Sequence, residues 1–314
     1  MFNVIKLLCV FSLFFSISSV ADVLDYPLKQ VSEHTYVIHG PLETPSPENR
    51  GFMNNPAFII ADQGVIVVDP GSSDEVSEML LNHIKALTKK PVTHVFNTHI
   101  HGDHWLGNDA IKSAWPDAIV YADPRMIKKA KQGEAHGWIE LLNRLTEGAT
   151  EGTEIYYPEQ ALVDGDQLTI HGLQLRIHSV GIAHSDSDIM IEFVDDSLMF
   201  TGDNVAYKRI LRMDDASFRD IIKACDRAIS LGLEHYVPGH GVSSSVEIVK
   251  LQKTYFEIIY GAVGKYYEEG LTDYEMKPMI VKMLSAYKDW ADFDAMIGKH
   301  ISLALLEVEQ AEFE

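Results

Sequence analysis

Residues 97–108 of the chain read NTHIHGDHWLGN, from Asn97 to Asn108. They hold three histidines and one aspartate in close succession: His99, His101, Asp103 and His104. Imidazole nitrogen and carboxylate oxygen suit zinc and, less selectively, iron or manganese. His99 and His101 can project together from an extended loop, whereas the next two ligands begin a turn and face elsewhere. We therefore expect two adjacent metal ions here. The alternative is a loop of solvent-facing histidines, but such a loop rarely has this density of ligands.

The flanking sequence favours an α/β fold. A strand is expected at Val92–Asn97 and a helix at Asn108–Ala114. Upstream, Asn55–Asp69 contains two β-rich runs joined in a hairpin at Asp62–Gly64, and an amphipathic helix follows over 74–88. The other expected strands are Val31–Gly40, Ala118–Ala122, Gln167–Ile170, Leu173–Val180, Ile189–Val194, Leu198–Thr201 and His235–Pro238.

Helices are expected between and after these strands. Residues 124–160 form a polar helical insert, Phe218–Ser230 is a helix, and Ser245–Glu312 is helix-rich with a break at Gly270–Asp273. Strands, then helices, then strands again predict an α/β protein: a four-layer αββα sandwich of two mixed β-sheets flanked by helices. We assign residues 22–244 to this domain and 245–314 to a helical C-terminal extension.

Three further metal-binding side chains follow predicted strands. His184 comes after Leu173–Val180, Asp203 lies in the sequence FTGD after Leu198–Thr201, and His240 lies in PGHG after His235–Pro238. Upstream, Asp69 ends the second strand of the hairpin. With the HxHxDH string, these elements resemble the signature of the metallo-β-lactamase-fold hydrolases, the superfamily that includes glyoxalase II. The resemblance covers about residues 30–242.

The resemblance implies a centre of two zinc ions, with iron or manganese as alternatives. The first ion would be held by His99, His101 and His184, and the second by Asp103, His104 and His240. Asp203 would bridge them, as in glyoxalase II-like members, and Asp69 would be a structural neighbour rather than a ligand. True β-lactamases of this fold lack the bridging aspartate, and one branch has cysteine there.

The implied chemistry is hydrolysis of a small-molecule substrate. Two divalent ions lower the pKa of a shared water, whose hydroxide attacks a thioester, ester or lactone-like carbonyl. Asp103 would be the catalytic residue, orienting the hydroxide and accepting its proton. Two alternatives stay open: hydrolysis of a β-lactam amide, and a noncatalytic protein that binds a metal or a partner.

Several neighbouring residues are candidates for supporting roles. Asp186 and Asp188 either hold ligand imidazoles or are solvated carboxylates. The cations Lys208, Arg209 and Arg212 either grip a substrate carboxylate or pair with Asp214 and Asp215. Residues 48–55 are a candidate wall of the site, and Trp138 with His136 a candidate lid. Cys225 and the aromatic side chains Tyr255 and Phe256 are expected in the core.

The chain ends and the overall charge bear on location and partners. Residues 1–21 combine Lys6, an apolar run from Leu7 to Ile17, and small residues at Ser19 and Ala21, which indicates a signal peptide cleaved before Asp22. We expect export, to the periplasm, with no membrane attachment after cleavage. The 46 acidic against 26 basic residues disfavour nucleic acid as a partner. The sequence leaves the oligomeric state open.

A closer resemblance concerns the exported quinoprotein-relay group of zinc hydrolases. It rests on the signal peptide, on residues 46–51 (SPENRG) and on residues 271–275 (LTDYE). A persulfide dioxygenase resembles the same fold but uses one iron, and the joint presence of Asp103, His104 and His240 argues against that activity.

Overall fold

The computed structural model describes residues 24–313. The predicted signal peptide, residues 1–21, lies outside this part. Among the described residues, no helix is long and apolar enough to cross a lipid bilayer.

The first β-sheet has seven strands that follow the order of the chain. Neighbours are antiparallel from the first strand to the fourth and parallel from the fourth to the seventh. The strands are β1 (Leu28–Gln30), β2 (Thr35–Ile38), β3 (Ala57–Ile60), β4 (Val65–Val68), β5 (Val92–Phe96), β6 (Ile119–Ala122) and β7 (Gln160–Ala161).

The second β-sheet has five strands, in the order β12-β11-β10-β9-β8. Its strands are β8 (Gln167–Ile170), β9 (Leu173–His178), β10 (Met190–Phe193), β11 (Leu198–Phe200) and β12 (His235–Val237). The last two are parallel and the other pairs antiparallel, so both sheets are mixed, as predicted.

Helices cover the outer faces of both sheets. In the first half of the chain they are α1 (Asp74–Leu87), α2 (Gly102–Trp105), α3 (Asn108–Ala114), α4 (Pro124–Lys129) and α5 (Ala135–Leu145). A single π-helical turn, Ala130–Glu134, joins α4 to α5. In the second half they are α6 (Phe218–Ser230), α7 (Glu247–Glu268), α8 (Asp273–Met283) and α9 (Phe293–Ala311).

Side chains along the buried strands point alternately to the two faces of each sheet, and this places one hydrophobic core on each face. In β4, Val65 and Val67 pack into the core that contains α1, whereas Ile66 and Val68 face the core between the two sheets. Successive side chains of a strand point to opposite faces, so this strand is buried on both sides. In β10, Ile191 lies between the sheets, and Met190 packs into the core with α6 to α9. The four-layer αββα prediction is confirmed.

Two local predictions differ from the structure. Val31–Gly40 was expected as one strand, but only Thr35–Ile38 is extended, and a turn leads back to the short strand β1. In the insert, helices end at Leu145, and residues 146–159 are irregular. Positive φ angles at Glu147 and Gly148 explain this end, because a left-handed backbone cannot continue an α-helix.

The helices after residue 245 share one core with α6. That core contains the buried side chains of Cys225, Tyr255 and Phe256, as expected from the sequence. Burial raises the pKa of the Cys225 thiol, which disfavours the reactive thiolate. An additional break, not predicted, separates α8 from α9 and ends at Asp292, which has a φ of 64°.

Candidate metal centre

The seven predicted ligands lie where strands end. His99 and His101 follow β5, and Asp103 and His104 belong to the short helix α2. The other three follow β9, β11 and β12: His184, Asp203 and His240. All seven side chains are buried. Strand ends from the two sheets therefore bring together residues that are up to 141 positions apart in the chain (240 − 99).

The metal-binding atoms of these side chains fall into two groups. In each group they lie within 4.8 Å of one another. The first group is His99, His101, His184 and Asp203, and the second is Asp103, His104 and His240. The first group holds the three histidines that the resemblance assigns to one ion together with Asp203, and the second holds the three residues that it assigns to the other ion.

Asp203 belongs to the first group and also lies close to the second. Its Oδ1 is 3.2 Å from Nε2 of His104, and its Oδ2 is 3.3 Å from Nε2 of His240. The same Oδ2 is 3.4 Å from Nε2 of His184 and 3.8 Å from Nε2 of His99. One carboxylate thus lies close to imidazoles of both groups.

The donor atoms fit metal ions rather than a hydrogen-bonded core. Buried polar atoms nearly always have a hydrogen-bond partner. Within residues 24–313, six buried atoms of this cluster have none: His99 Nε2, His101 Nε2, His104 Nε2, His184 Nδ1, Asp103 Oδ2 and Asp203 Oδ1. Divalent ions would satisfy them all, and a mixed set of imidazole and carboxylate donors is one that zinc, iron and manganese accept.

The family model of the metallo-beta-lactamase superfamily matches residues 49–240. The chain belongs to this superfamily. It is 25% identical over 201 residues to a Streptococcus pyogenes serotype M6 protein named "Probable metallo-hydrolase", covering 61% of this chain and 81% of that protein. The His/Asp clusters are therefore metal-binding clusters of a superfamily hydrolase.

Solved structures of the superfamily share the fold. A metallo-beta-lactamase from Pontibacter korlensis aligns with a TM-score of 0.60 at 17% identity, covering 74% of this chain and 98% of that one. The DIM-1 metallo-beta-lactamase exposed to ceftazidime aligns with a TM-score of 0.59 at 17% identity, covering 75% of this chain and 98% of that one.

A second layer of hydrogen bonds orients the ligands of this superfamily member. Asp69 ends β4 with a φ of 50°, and its carboxylate lies 2.8 Å from Nδ1 of His104. It also accepts hydrogen bonds from the backbone N–H and the hydroxyl of Thr98. On the other side, the Met53 carbonyl lies 2.8 Å from Nδ1 of His240. Partners of this kind fix the ring orientation and leave the Nε2 atoms for the metal.

The predicted partners Asp186 and Asp188 act elsewhere. Asp186 pairs with Lys129 at 2.8 Å, and Asp188 accepts hydrogen bonds from the backbone and hydroxyl of Ser185. Asp188 therefore shapes the loop that carries His184 rather than holding an imidazole. The role of the Met53 carbonyl was not predicted from the sequence, because every residue has a backbone carbonyl and the residue type does not show which one accepts a hydrogen bond.

Electrostatics match the two kinds of ligand. Burial lowers the pKa of His184 to about 3, and it lowers the pKa of His99 well below the usual range, so both rings are neutral and free to bind metal. Burial also opposes charge on His104, but the carboxylates of Asp203, Asp103 and Asp69 outweigh it and raise its pKa. This excess of buried negative charge is what a cation would balance.

A cavity of about 170 Å³ opens onto the cluster. Its metal-binding residues are His101, Asp103, Asp203 and His240, and the rest of its wall is mainly apolar. Met53, from the predicted wall 48–55, and Trp138, from the predicted lid, both line it. His136, the other lid candidate, is exposed and lies outside the lining.

The predicted cations divide between two environments. Arg209 and Arg212 line the cavity, but each already has a carboxylate partner. Nε of Arg209 is 3.1 Å from Asp292, and Nε of Arg212 is 3.1 Å from Asp214. Lys208 lies instead over the ring of Tyr207, outside the cavity lining.

Proposed function

We propose that this superfamily member is a dinuclear hydrolase that cleaves a thioester, an ester or a lactone-like carbonyl. Zinc is the metal we favour, with iron or manganese as alternatives. The observation that carries the proposal is the position of Asp203, whose carboxylate oxygens lie 3.2–3.4 Å from His104, His184 and His240. A carboxylate so placed can join two ions into one centre.

The ions would be held by His99, His101, His184, Asp103, His104, His240 and the bridging Asp203. Bound there, they would supply a Lewis acid for the carbonyl and lower the pKa of a coordinated water. The contacts of His104 with Asp69 and of His240 with the Met53 carbonyl would keep these two ligands oriented.

Asp103 is the residue we propose for proton transfer. Its carboxylate lines the cavity, and its Oδ2 is 3.4 Å from Nε2 of His104 and 3.3 Å from Nε2 of His240. Although burial opposes ionisation, the imidazoles of His104 and His240 hold the pKa of this carboxyl well below its usual range. Asp103 is therefore ionised, and the carboxylate oxygen that does not bind a metal ion can accept a proton from the attacking water.

Two alternatives are less well supported. Against β-lactam hydrolysis, Asp203 stands at the position where glyoxalase II-like members have an aspartate and one branch of the β-lactamases has a cysteine. The only cysteine in the described residues, Cys225, lies buried in another core. For a noncatalytic metal-binding or partner-binding protein, the ligand role of Asp103 would suffice, but its position in the lining of a mainly apolar cavity would have no further use. We also propose membership of the exported quinoprotein-relay group, on the sequence features given above.

The test is a substrate panel with the metal-loaded chain. A thioester, a phenyl ester, a γ-lactone and nitrocefin are each followed by product formation, before and after chelation with dipicolinate. We expect turnover of the first three, loss on chelation, and a loss of about a hundredfold or more in Asp103→Asn. The exposed Asp117→Asn variant is the control and keeps full activity.

Each alternative predicts a different pattern. Turnover of nitrocefin at a rate matching the thioester would support the β-lactamase alternative. Tight metal binding without hydrolysis of any member of the panel would support the noncatalytic alternative and overturn the proposal.

We further propose export to the periplasm after cleavage of residues 1–21, with a small molecule rather than nucleic acid or membrane as the partner. The apolar run and the small residues that follow it support this proposal. Mass spectrometry of the exported chain should give an N-terminus at Asp22. A cytoplasmic chain that keeps Met1 would overturn the assignment.

A further inference from the structure

The helix α5 turns an apolar face toward the metal cluster. Its residues Trp138, Leu141, Leu142 and Leu145 follow the spacing i, i+3, i+4 and i+7, which places them on one face of a helix. All four line the cavity that also contains His101, Asp103, Asp203 and His240. The ring of Trp138 is 4.9 Å from the ring of His101, so the apolar face begins beside a predicted ligand.

The other apolar residues that line the cavity come from distant parts of the chain. They are Pro45, Met53, Ile210, Leu211 and Met296. Met296 belongs to α9, so the C-terminal helices contribute to the same cavity as the insert. Methionine side chains adapt their shape to a partner, which suits a wall that closes on a flexible apolar group.

Part of the helix face is left uncovered by the described protein. Leu145 is 42% exposed, and the side chains of Trp138 and Leu141 are only half-buried. A helix normally buries its apolar stripe against a core. Here Leu142 is buried in a core with Trp105, while the stripe also lines a cavity beside polar, metal-binding groups, which is the usual arrangement of a small-molecule site.

The charged groups of the cavity do not call for an anionic substrate group. Arg209 is paired with Asp292, and Arg212 shares the carboxylate of Asp214 with Lys299, so each arginine already has a carboxylate partner within the protein. The Arg212 guanidinium also lies 5.7 Å from the centre of the Trp138 ring, where it can hold the indole against the cavity by a cation–π contact.

The volume sets the size of the group that fits. The cavity holds about 170 Å³, and an apolar cavity of about 150 Å³ in another protein accommodates benzene. Because this volume includes the space beside the metal-binding residues, it limits the apolar group to a chain or ring of about six carbons.

We propose that α5 and the lining residues Met53, Leu211 and Met296 form an acyl-binding site for an apolar chain or ring of about six carbons. This inference rests on the hydrolase function proposed above and specifies its substrate class. The acyl group lies along Trp138 and Leu141, and the scissile carbonyl lies toward Asp103 and His240. The leaving group extends to the open mouth near Leu145.

The first test is a series of p-nitrophenyl esters with acyl chains of two, four, six, eight and twelve carbons. Burial of one methylene favours binding enough to raise kcat/KM about fourfold. We expect kcat/KM to rise about fourfold per methylene from two to six carbons. Beyond eight carbons, kcat/KM should not rise further. Equal kcat/KM for acetyl and hexanoyl esters would overturn the acyl site while leaving the hydrolase proposal intact.

Variants separate recognition from structural damage. Leu141→Ala should lower kcat/KM about tenfold for the hexanoyl ester and leave the acetyl ester within about twofold. Leu87→Ala, an exposed leucine of α1, is the matched control and should change neither. An equal loss for both esters in Leu141→Ala would contradict a role in acyl recognition.

A binding measurement is independent of turnover. Calorimetric titration of the metal-stripped and metal-loaded chains with hexanamide and with acetamide should show binding of hexanamide at least about tenfold tighter in both forms. If no ester is hydrolysed but hexanamide is preferred, the hydrolase proposal fails and the apolar site stands. If neither amide is preferred, the acyl site is wrong.

Discussion

The Asp203 carboxylate occupies the space that a side chain at position 239 would need. A Cβ atom added to Gly239 would lie 1.8 Å from Oδ1 of Asp203, far inside any permitted contact. Gly239 directly precedes the predicted ligand His240 and follows β12. Two loops that carry ligands can therefore approach each other only because this position lacks a side chain.

The first prediction follows from this contact. Gly239→Ala should displace Asp203 and lower the number of bound divalent ions per chain, with a loss of about a hundredfold or more in hydrolysis. Elemental analysis and a substrate assay measure the two effects. Gly261→Ala, in a helix where an added Cβ meets nothing within 4 Å, is the control. Full metal content in Gly239→Ala would show that Asp203 can move without consequence.

The second prediction concerns the orientation of His104 by Asp69. Asp69→Asn removes the carboxylate that lies 2.8 Å from Nδ1 of His104 and that accepts two hydrogen bonds from Thr98. We expect the metal affinity, measured by competition with a chromogenic chelator, to fall about 10–100-fold. The exposed Asp62→Asn variant in the β3–β4 turn should bind metal as the parent chain does. Unchanged affinity in Asp69→Asn would mean that ring orientation has no role.

The third prediction concerns the contact between Arg209 and Asp292. Arg209 is nearly buried, and Asp292 has a φ of 64°, a conformation that asparagine also tolerates. Asp292→Asn therefore keeps the backbone but leaves the cation of Arg209 without its carboxylate. We expect a loss of about 2–4 kcal/mol in the free energy of unfolding by urea. The exposed Asp294→Asn should cost less than about 1 kcal/mol.

The fourth prediction is a pH dependence that involves Asp196. Burial opposes ionisation of this carboxyl, but hydrogen bonds from Ser32, His34 and Thr35 outweigh it and lower its pKa. Its contribution to stability is therefore present above the unfolded pKa of about 3.9 and is lost as the pH falls through the lower folded pKa.

The same hydrogen bond to Asp196 raises the pKa of His34. The contribution of His34 is present below about pH 6.5 and is lost as the pH rises through its raised pKa. The urea concentration at the midpoint of unfolding should therefore be higher for the parent chain than for Asp196→Asn, and the difference should be largest between about pH 4 and 6.5. A difference that is constant from pH 3 to 8 would contradict this coupling.

Sequence patterns predicted the fold, and they selected side chains that the structure brings close together, because both depend on side-chain type. Hydrophobic runs located the central strands to within two residues at each end, and the HxHxDH string with His184, Asp203 and His240 picked out the residues that meet in space. Each of these residues follows a predicted strand, and the ends of neighbouring strands lie close together, so the sequence indicated that the residues would meet.

Other features depend on the backbone or on distant packing and had no such signal. The strand β1 (Leu28–Gln30) is short and mostly exposed, so it carries no hydrophobic pattern. The Met53 carbonyl beside His240 is a backbone group. Met296 reaches the cavity because α9 packs against α7. Local sequence motifs do not predict which helices pack against each other.

The most direct test is the number of metal ions that the purified chain binds. After reconstitution with zinc and removal of free metal, elemental analysis should give two ions per chain, and about one in His240→Ala, which lacks a ligand of the second group. Fewer than two ions in the parent chain, or two in His240→Ala, would contradict the two-metal centre.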